Sequence, residues 1–156
     1  MLKKIAPLLF VISLLILSKP SYGHCEIPCG IYGDSVRLAL LKEHVVTIEK
    51  SMKMIIELTA SPNPDYNQLV RWVMNKEEHA KKMQDIVSQY FLHQRIKMAD
   101  PEDSEHFTKY TQQLAAAHAI LVYAMKSKQS TDLDVIKQLS NSVQHFDHLY
   151  FGGHSH

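Results

Sequence analysis

The sequence predicts an all-α fold, an antiparallel four-helix bundle preceded by an irregular N-terminal segment that binds a metal. Two observations predict the bundle. Apolar residues recur at alternating steps of three and four along four stretches, which is typical of helices packed lengthwise against one another. The connections between these stretches are short, and no stretch alternates apolar and polar residues as a strand does. A histidine and two cysteines close together before the first helix predict the metal-binding segment.

Residues 1–23 have the three parts of a secretory signal peptide. Lys3 and Lys4 form the positive start, residues 8–17 form the apolar core, and Ser21-Tyr22-Gly23 places small residues before the cut. This stretch of ten residues, apolar except for Ser13, is too short for the ~20 residues that span a bilayer as a helix, so we expect no stable membrane association after cleavage. A processing protease then makes His24 the N-terminus of an exported protein, periplasmic or extracellular. A cytoplasmic protein with a cleaved propeptide is the alternative.

The charge of the mature chain argues against nucleic acid as a partner. Three of the 17 lysines and arginines lie in the leader, so 14 remain against 16 acidic residues. Charges of both signs are interspersed along the helices, and no basic surface suited to a phosphate backbone stands out. The remaining 133 residues are enough for one hydrophobic core. We therefore predict one domain over residues 33–151 and a short tail over 152–156.

The first predicted helix has Asp34 or Ser35 as its N-cap and ends at residues 61–64, where two prolines cannot donate the helical hydrogen bond. The second helix is predicted over residues 65–97, long enough to contain a kink near Met74-Asn75. The apolar seam of the first helix is Leu38, Leu41, Val45, Ile48, Met52 and Ile55. The seam of the second is Leu69, Val73, Ala80, Met83, Val87 and Tyr90.

Residues 100–103, which include a proline, separate the second helix from a third that is predicted to end at about Lys126. Ser130-Thr131-Asp132 then caps a fourth helix, and Gly152-Gly153 ends it. The seam of the third helix is Phe107, Tyr110, Leu114, Ala117, Leu121 and Met125. The seam of the fourth is Ile136, Leu139, Val143 and Phe146.

Residues 24–32, His-Cys-Glu-Ile-Pro-Cys-Gly-Ile-Tyr, carry the metal-binding chemistry. The α-amine of His24, the amide nitrogen of Cys25 and the thiolates of Cys25 and Cys29 can close a square plane. Pro28 bends the chain so that the second sulfur reaches back, and the His24 imidazole can add an axial ligand. A square plane of nitrogen and sulfur suits Ni(II) or Cu(II) rather than tetrahedral zinc.

A disulfide is the alternative for the two cysteines. Cys25 and Cys29 are the only cysteines in the chain, and an exported protein usually oxidises such a pair. A loop this short at a free chain end constrains little of the chain, so it would stabilise the bundle poorly. The spacing alone leaves both alternatives open.

The segment resembles the nickel hook of the nickel superoxide dismutases, whose pattern is His-Cys-x-x-Pro-Cys-Gly-x-Tyr. We name residues 24–32 the hook. The resemblance implies one nickel ion per subunit, held by His24, Cys25 and Cys29, in a small four-helix bundle that assembles as a homohexamer. All six fixed positions of the pattern are present, at His24, Cys25, Pro28, Cys29, Gly30 and Tyr32.

The resemblance also implies an enzyme, a superoxide dismutase. It would convert superoxide to oxygen and hydrogen peroxide at a mononuclear Ni(II)/Ni(III) centre built from the processed N-terminus. Tyr32 is implied to lie over the open face of the metal, where it orders water and limits access to small anions. Tyr90 is matched to a second catalytic tyrosine that partners Tyr32.

The sequence departs from the family's pattern around the axial imidazole. In some members a glutamate and an arginine hold that ring by hydrogen bonds. Here Leu40 stands at the glutamate's place, with Glu43 one turn later, and His79 stands at the arginine's place. Such partners orient a ligating imidazole and tune its basicity, so we expect altered axial support. A solvated helix histidine is the alternative for His79.

Three other interpretations remain. The same N-terminal chelate suits an exported nickel or copper carrier without turnover. A purely structural bundle with an oxidised Cys25–Cys29 loop is the second. The third is a metal site formed by His154 and His156 of the tail. The remaining histidines have no spacing typical of metal ligands: His44, His93, His106, His118, His145 and His148.

Overall fold

The fold is described by a computed structural model that covers residues 30–152. This part of the chain is helical and contains no strand. We label the helices α1 (Asp34–Ala60), α2 (Tyr66–Asp85), α3 (Ser104–Gln129) and α4 (Leu133–Phe151). Helix α2 continues without a break as a π-helical segment, Ile86–Arg95. Helices α1 and α3 each pack against both α2 and α4, which confirms the predicted four-helix bundle.

The predicted seams of α1 and α4 are confirmed, because every residue named for them is buried. The two middle helices differ from prediction: Val73 is 38% exposed and Met125 is 42% exposed. In α3 Ala117 is buried as predicted, but the next buried positions lie one residue earlier than predicted, at Ile120 and Ala124 instead of Leu121 and Met125. Apolar residues surround both positions in this alanine-rich helix, so the periodicity did not decide which of them faces the core.

Three of the four helices begin with an aspartate N-cap. The side chains of Asp65, Asp103 and Asp132 accept hydrogen bonds from backbone N–H groups of the first turn. Helix α1 differs, because its N-cap is Gly33, which has no side chain to accept such a bond. The predicted capping role of Asp34 or Ser35 is therefore wrong. Asp34 is the first helical residue, and its carboxylate is used in contacts with other helices.

The irregular part of the second predicted helix lies further along the chain than expected. Residues 74 and 75 are within regular α-helix, whereas the hydrogen bonding changes at Ile86. The π-helical segment ends where the Ile96 N–H donates to the Phe91 carbonyl oxygen, 2.8 Å away and five residues earlier. A π-helix of this kind is uncommon and is often found at functional sites.

Helix α4 ends as predicted, with Gly152 in the left-handed conformation at φ +69°. Across residues 30–152, no helix combines the length and the apolar character required to cross a membrane. The predicted leader, most of the hook (residues 24–29) and residues 153–156 lie outside the described residues.

Candidate metal centre and the tyrosines beside it

The described part of the chain begins immediately after the predicted metal ligands. His24, Cys25 and Cys29 lie outside it, and Gly30 is its first residue. Gly30 has φ +73°, a backbone conformation that glycine adopts without the steric cost that a side chain would bring. The chain therefore turns directly after Cys29, and this turn explains the glycine of the hook motif. Within residues 30–152, no three His, Cys, Asp or Glu side chains are grouped so that they could hold a metal ion.

Two tyrosines meet where the hook joins the bundle. The rings of Tyr32 and Tyr90 pack edge to face, with centroids 6.0 Å apart and planes at 73°. Tyr32 is 42% exposed, whereas Tyr90 is 3% exposed. The structure thus brings the two predicted tyrosines together, with the hook tyrosine at the surface and its partner in the core. Their role in catalysis stays a prediction.

The Tyr90 hydroxyl is fully engaged. It donates to Asp34 Oδ1 at 2.5 Å and accepts from the Gly33 N–H at 2.8 Å. Burial and the hydrogen bond to the Asp34 carboxylate raise the pKa of Tyr90 above its ordinary value of 10.0. This hydroxyl therefore keeps its proton at neutral pH and fixes the backbone next to Tyr32.

Asp34 is the centre of a polar cluster, which we name the Asp34 cluster and define as Asp34, Tyr90, Arg95 and Tyr150. The Arg95 guanidinium donates from Nε to Oδ1 at 2.9 Å and from Nη2 to Oδ2 at 2.7 Å. The Tyr150 hydroxyl donates to Oδ2 at 2.8 Å. Burial favours the neutral Asp34 carboxyl, but the bonds from Arg95, Tyr90 and Tyr150 outweigh it and lower the pKa below 3.8. Asp34 is therefore an ionised carboxylate at neutral pH.

Arg95 connects this cluster to the hook. Its guanidinium carbon lies 4.2 Å from the centroid of the Tyr32 ring, within the range of a cation–π contact. A second arginine, Arg37, lies 5.2 Å from the centroid of Tyr90. Both tyrosine rings are thus bordered by a guanidinium group, and the charge of the one beside Tyr32 is balanced by Asp34.

Sequence reasoning missed Arg95 and Tyr150 and gave Asp34 a different role. Arg95 is 61 residues from Asp34 and Tyr150 is 116 residues from it, so no local motif connects them. The available signal was the position of Asp34, two residues after Tyr32. An acidic residue there can form an ion pair with a basic side chain that packs on the Tyr32 ring.

The residues considered for axial support do not form a glutamate–arginine pair. Leu40 is half-buried and Glu43 is exposed. His79 contacts His44, a residue without a predicted role, with the two Nδ1 atoms 3.0 Å apart and the ring centroids 4.8 Å apart. Burial lowers the pKa of both histidines, and nearby Lys82 lowers them further. His79 is therefore one half of an imidazole pair between α1 and α2, not a solvated side chain.

One of three comparisons with known proteins found a match, and that match gives the family of the chain. The family profile described as nickel-containing superoxide dismutase matches residues 19–153, nearly the whole chain and all of the bundle. Comparisons with curated proteins and with solved structures found no significant match. The profile covers well over half of the sequence and includes both the hook and the helices. This chain therefore belongs to the nickel-containing superoxide dismutases, oxidoreductases whose cofactor is nickel.

Proposed function

We propose that this protein disproportionates superoxide at a nickel ion held by its own processed N-terminus. The observation that carries the proposal is the complete hook motif, which begins one residue after the end of a signal-like leader. The ligands are His24, Cys25 and Cys29. When bound, nickel supplies a one-electron couple, Ni(II)/Ni(III), which both half-reactions of superoxide disproportionation require.

The donor set fits this metal. An amine, a deprotonated amide and two thiolates give two nitrogen and two sulfur donors, and Ni(II) accepts these in a square plane. The α-amine of His24 is a ligand only when the leader has been removed, because a peptide bond otherwise occupies that nitrogen. Cleavage between Gly23 and His24 is therefore a condition for activity.

The residues beside the hook have separate tasks in this proposal. Tyr32 is exposed and follows the last proposed ligand, Cys29, by three residues, so its phenol can order water and restrict entry to small anions. Tyr90 keeps its proton at neutral pH, because burial and the Asp34 carboxylate raise its pKa, and accepts a hydrogen bond of 2.8 Å from the Gly33 N–H, so it supports the backbone next to Tyr32. Arg37 places a positive charge beside Tyr90, which favours the arrival of an anionic substrate, whereas the charge of Arg95 is balanced by Asp34.

We also propose that the leader directs export and that the mature chain assembles as a homohexamer. Helices α1 and α2 provide a surface for assembly, because they expose apolar side chains that a lone bundle leaves in water. Val46 and Met74 are each 65% exposed and line, with Trp72, a groove of about 610 Å³. Other exposed apolar residues on the two helices are Ile56, Tyr66, Val70 and Val73.

Native mass spectrometry of protein purified from its own cell tests metal, processing and assembly together. We expect a chain that begins at His24, with one nickel per subunit in a hexamer. A metal-free chain that begins at His24 and has lost two hydrogens would indicate the Cys25–Cys29 disulfide and contradict the proposal. Nickel bound without superoxide turnover would indicate the carrier.

Variants of the hook test the ligands. Cys25→Ser and Cys29→Ser should each lower dismutation by far more than the roughly 10–100-fold that loss of an outer-shell partner costs, with helicity unchanged. One alanine inserted before His24 should have a similar effect, because it displaces the primary amine. Replacement of His154 and His156 by alanine is the matched control and should change neither the nickel content nor the rate. Full dismutation by the extended chain would refute the proposed ligand set.

A further inference from the structure

We propose that the Asp34 cluster positions Tyr32, with Arg95 as the surface against which the Tyr32 ring rests. This inference rests on the proposed function of the hook, because it assigns positioning residues to that site. Arg95, Asp34 and Tyr150 would act through Tyr32 and need no contact with the metal or the substrate.

The first step of the argument is that Arg95 is fixed in place. Two of its nitrogens bond to the two oxygens of Asp34, a geometry that holds the planar guanidinium in one orientation. The side chains of Arg95 and Asp34 are 27% and 17% exposed, so solvent competes only weakly for this pair. One face of a fixed cation therefore lies against Tyr32 at 4.2 Å.

The second step is that the carboxylate itself is also held by a residue of another helix, Tyr150 of α4. Tyr150 packs its ring against Phe91 and Phe146, with centroids 5.2 and 5.6 Å away. Its hydroxyl thereby reaches Asp34 Oδ2 at 2.8 Å. The orientation of Arg95 thus depends on α4, which is the last helix in the sequence.

The third step concerns the π-helical segment. Tyr90 and Arg95 are five residues apart, and in an α-helix such residues point about 140° away from each other. Hydrogen bonds from residue i to residue i+5 bring residues five apart close to one line along the helix. Both side chains consequently reach the same carboxylate, Tyr90 at 2.5 Å and Arg95 at 2.7 Å. The π-helical segment therefore allows Tyr90 and Arg95 to bond to one carboxylate.

The alternative is that Arg95 supplies only charge. Lysine has the same charge but lacks the planar fork and stacks poorly on an aromatic ring. Arg95→Lys therefore separates position from charge, and Arg95→Gln removes both. Tyr150→Phe removes one hydroxyl and retains the ring packing, so it tests the cluster even where an Arg95 variant folds poorly.

The experiment is NMR of the metal-free mature chain with 13C-labelled tyrosine rings, in which Tyr32→Phe assigns the Tyr32 signal. We expect the Tyr32 signal to move towards its value in an unfolded peptide in Arg95→Lys and Arg95→Gln, and to move less in Tyr150→Phe. The signals of Tyr66 and Tyr123, which lie away from the cluster, should not move. Lys137→Gln, which removes an exposed ion pair on α4, is the control and should leave Tyr32 unchanged.

Nickel-loaded protein gives the second measurement. Arg95→Lys should lower kcat/KM by roughly tenfold at unchanged nickel content, since small misplacements can cost up to about 100-fold. An unmoved Tyr32 signal in folded Arg95→Lys would overturn the inference, and so would a signal that moves in Arg95→Gln alone. Because the NMR measurement needs no turnover, a wild-type protein without dismutase activity would refute the proposed function and leave this test valid.

Discussion

Lys76 and Arg95 are two cations that the bundle holds in different ways. Lys76 is 4% exposed, and its Nζ donates to the carbonyl oxygens of Ser127 and Lys128, at 2.7 and 2.5 Å, near the end of α3, and more weakly to Glu77 Oε1 at 3.2 Å. Arg95 bonds to both oxygens of one carboxylate and lies over an aromatic ring. The first arrangement satisfies carbonyl groups that a helix end leaves unpaired, and the second connects three helices to the hook.

The difference in bonding indicates that Lys76 contributes to the stability of the bundle, whereas Arg95 contributes to the arrangement of side chains next to the hook. A compact ammonium suits backbone carbonyls and the negative end of a helix dipole, and nothing in that arrangement depends on its orientation. A planar guanidinium fixes an angle as well as a charge. We therefore expect changes at Lys76 to affect folding alone, whereas changes in the Asp34 cluster should affect folding and activity together.

The largest effect is expected for Asp34→Asn. It leaves the Arg95 charge half-buried without a counter-charge, so the free energy of unfolding should fall by about 2 kcal/mol, below the roughly 3–5 kcal/mol of a fully buried pair. Dismutation should fall by roughly tenfold because Tyr32 loses its support. Urea unfolding and a superoxide assay measure the two effects. Asp134→Asn, whose side chain is 78% exposed in an ion pair with Lys137, is the control and should change neither quantity by much.

Lys76→Met is expected to have the next largest effect, on stability alone. Methionine fills similar space but leaves two carbonyl oxygens unpaired, at a cost of about 1–2 kcal/mol. The activity of folded protein should be unchanged, because Lys76 lies 14 residues before Tyr90, about 20 Å along the helix. Lys81→Met is the control, since it removes an exposed ion pair. A loss of activity at full nickel content in Lys76→Met would contradict the separation of the two regions.

The stability contributions of the Arg95–Asp34 pair and of Lys76 should also differ in their dependence on pH. The pKa of Asp34 is lowered in the folded protein, so its stabilising contribution is complete above 3.8 and is lost as the pH falls through the folded value. The difference in unfolding free energy between wild type and Asp34→Asn should therefore shrink from pH 6 to pH 3. The corresponding difference for Lys76→Met should change less, because two of the three acceptors of Lys76 are backbone carbonyls, which do not titrate, and the third, the Glu77 carboxylate, is 43% exposed. Unfolding by urea at several pH values measures both differences.

The smallest effect is expected at the His44–His79 pair. Both pKa values lie below 6.5 in the folded protein, so the unfolded chain binds more protons and stability should decrease as the pH falls below about 6.5. Lys82 disfavours protonation of either ring, whereas Glu43 opposes this effect. His79→Gln should flatten the dependence between pH 7.5 and pH 5.5 in urea unfolding. The control His118→Gln, at an exposed position, should not flatten it.

Local patterns in the sequence determined the all-α class, the seams of α1 and α4, the end of α4 at Gly152 and the family. A repeat such as Leu38, Leu41 and Val45 gives the helix one apolar face, and that face is buried in the core. The hook motif is equally local, because its proposed ligands lie within six consecutive residues. The pairing of Tyr32 with Tyr90 followed from the resemblance and not from the periodicity.

Only the tertiary structure decided how the hook tyrosine is supported. The sequence predicted Asp34 as a helix cap. In the structure its carboxylate accepts hydrogen bonds from Arg95, Tyr90 and Tyr150, which lie on other helices. The π-helical segment that aligns Tyr90 with Arg95 has no sequence signature, and neither has the contact of His44 with His79. Such contacts depend on how far neighbouring helices are shifted relative to one another along their axes, which we call their relative heights. Apolar periodicity specifies the face that each helix buries and leaves those heights open.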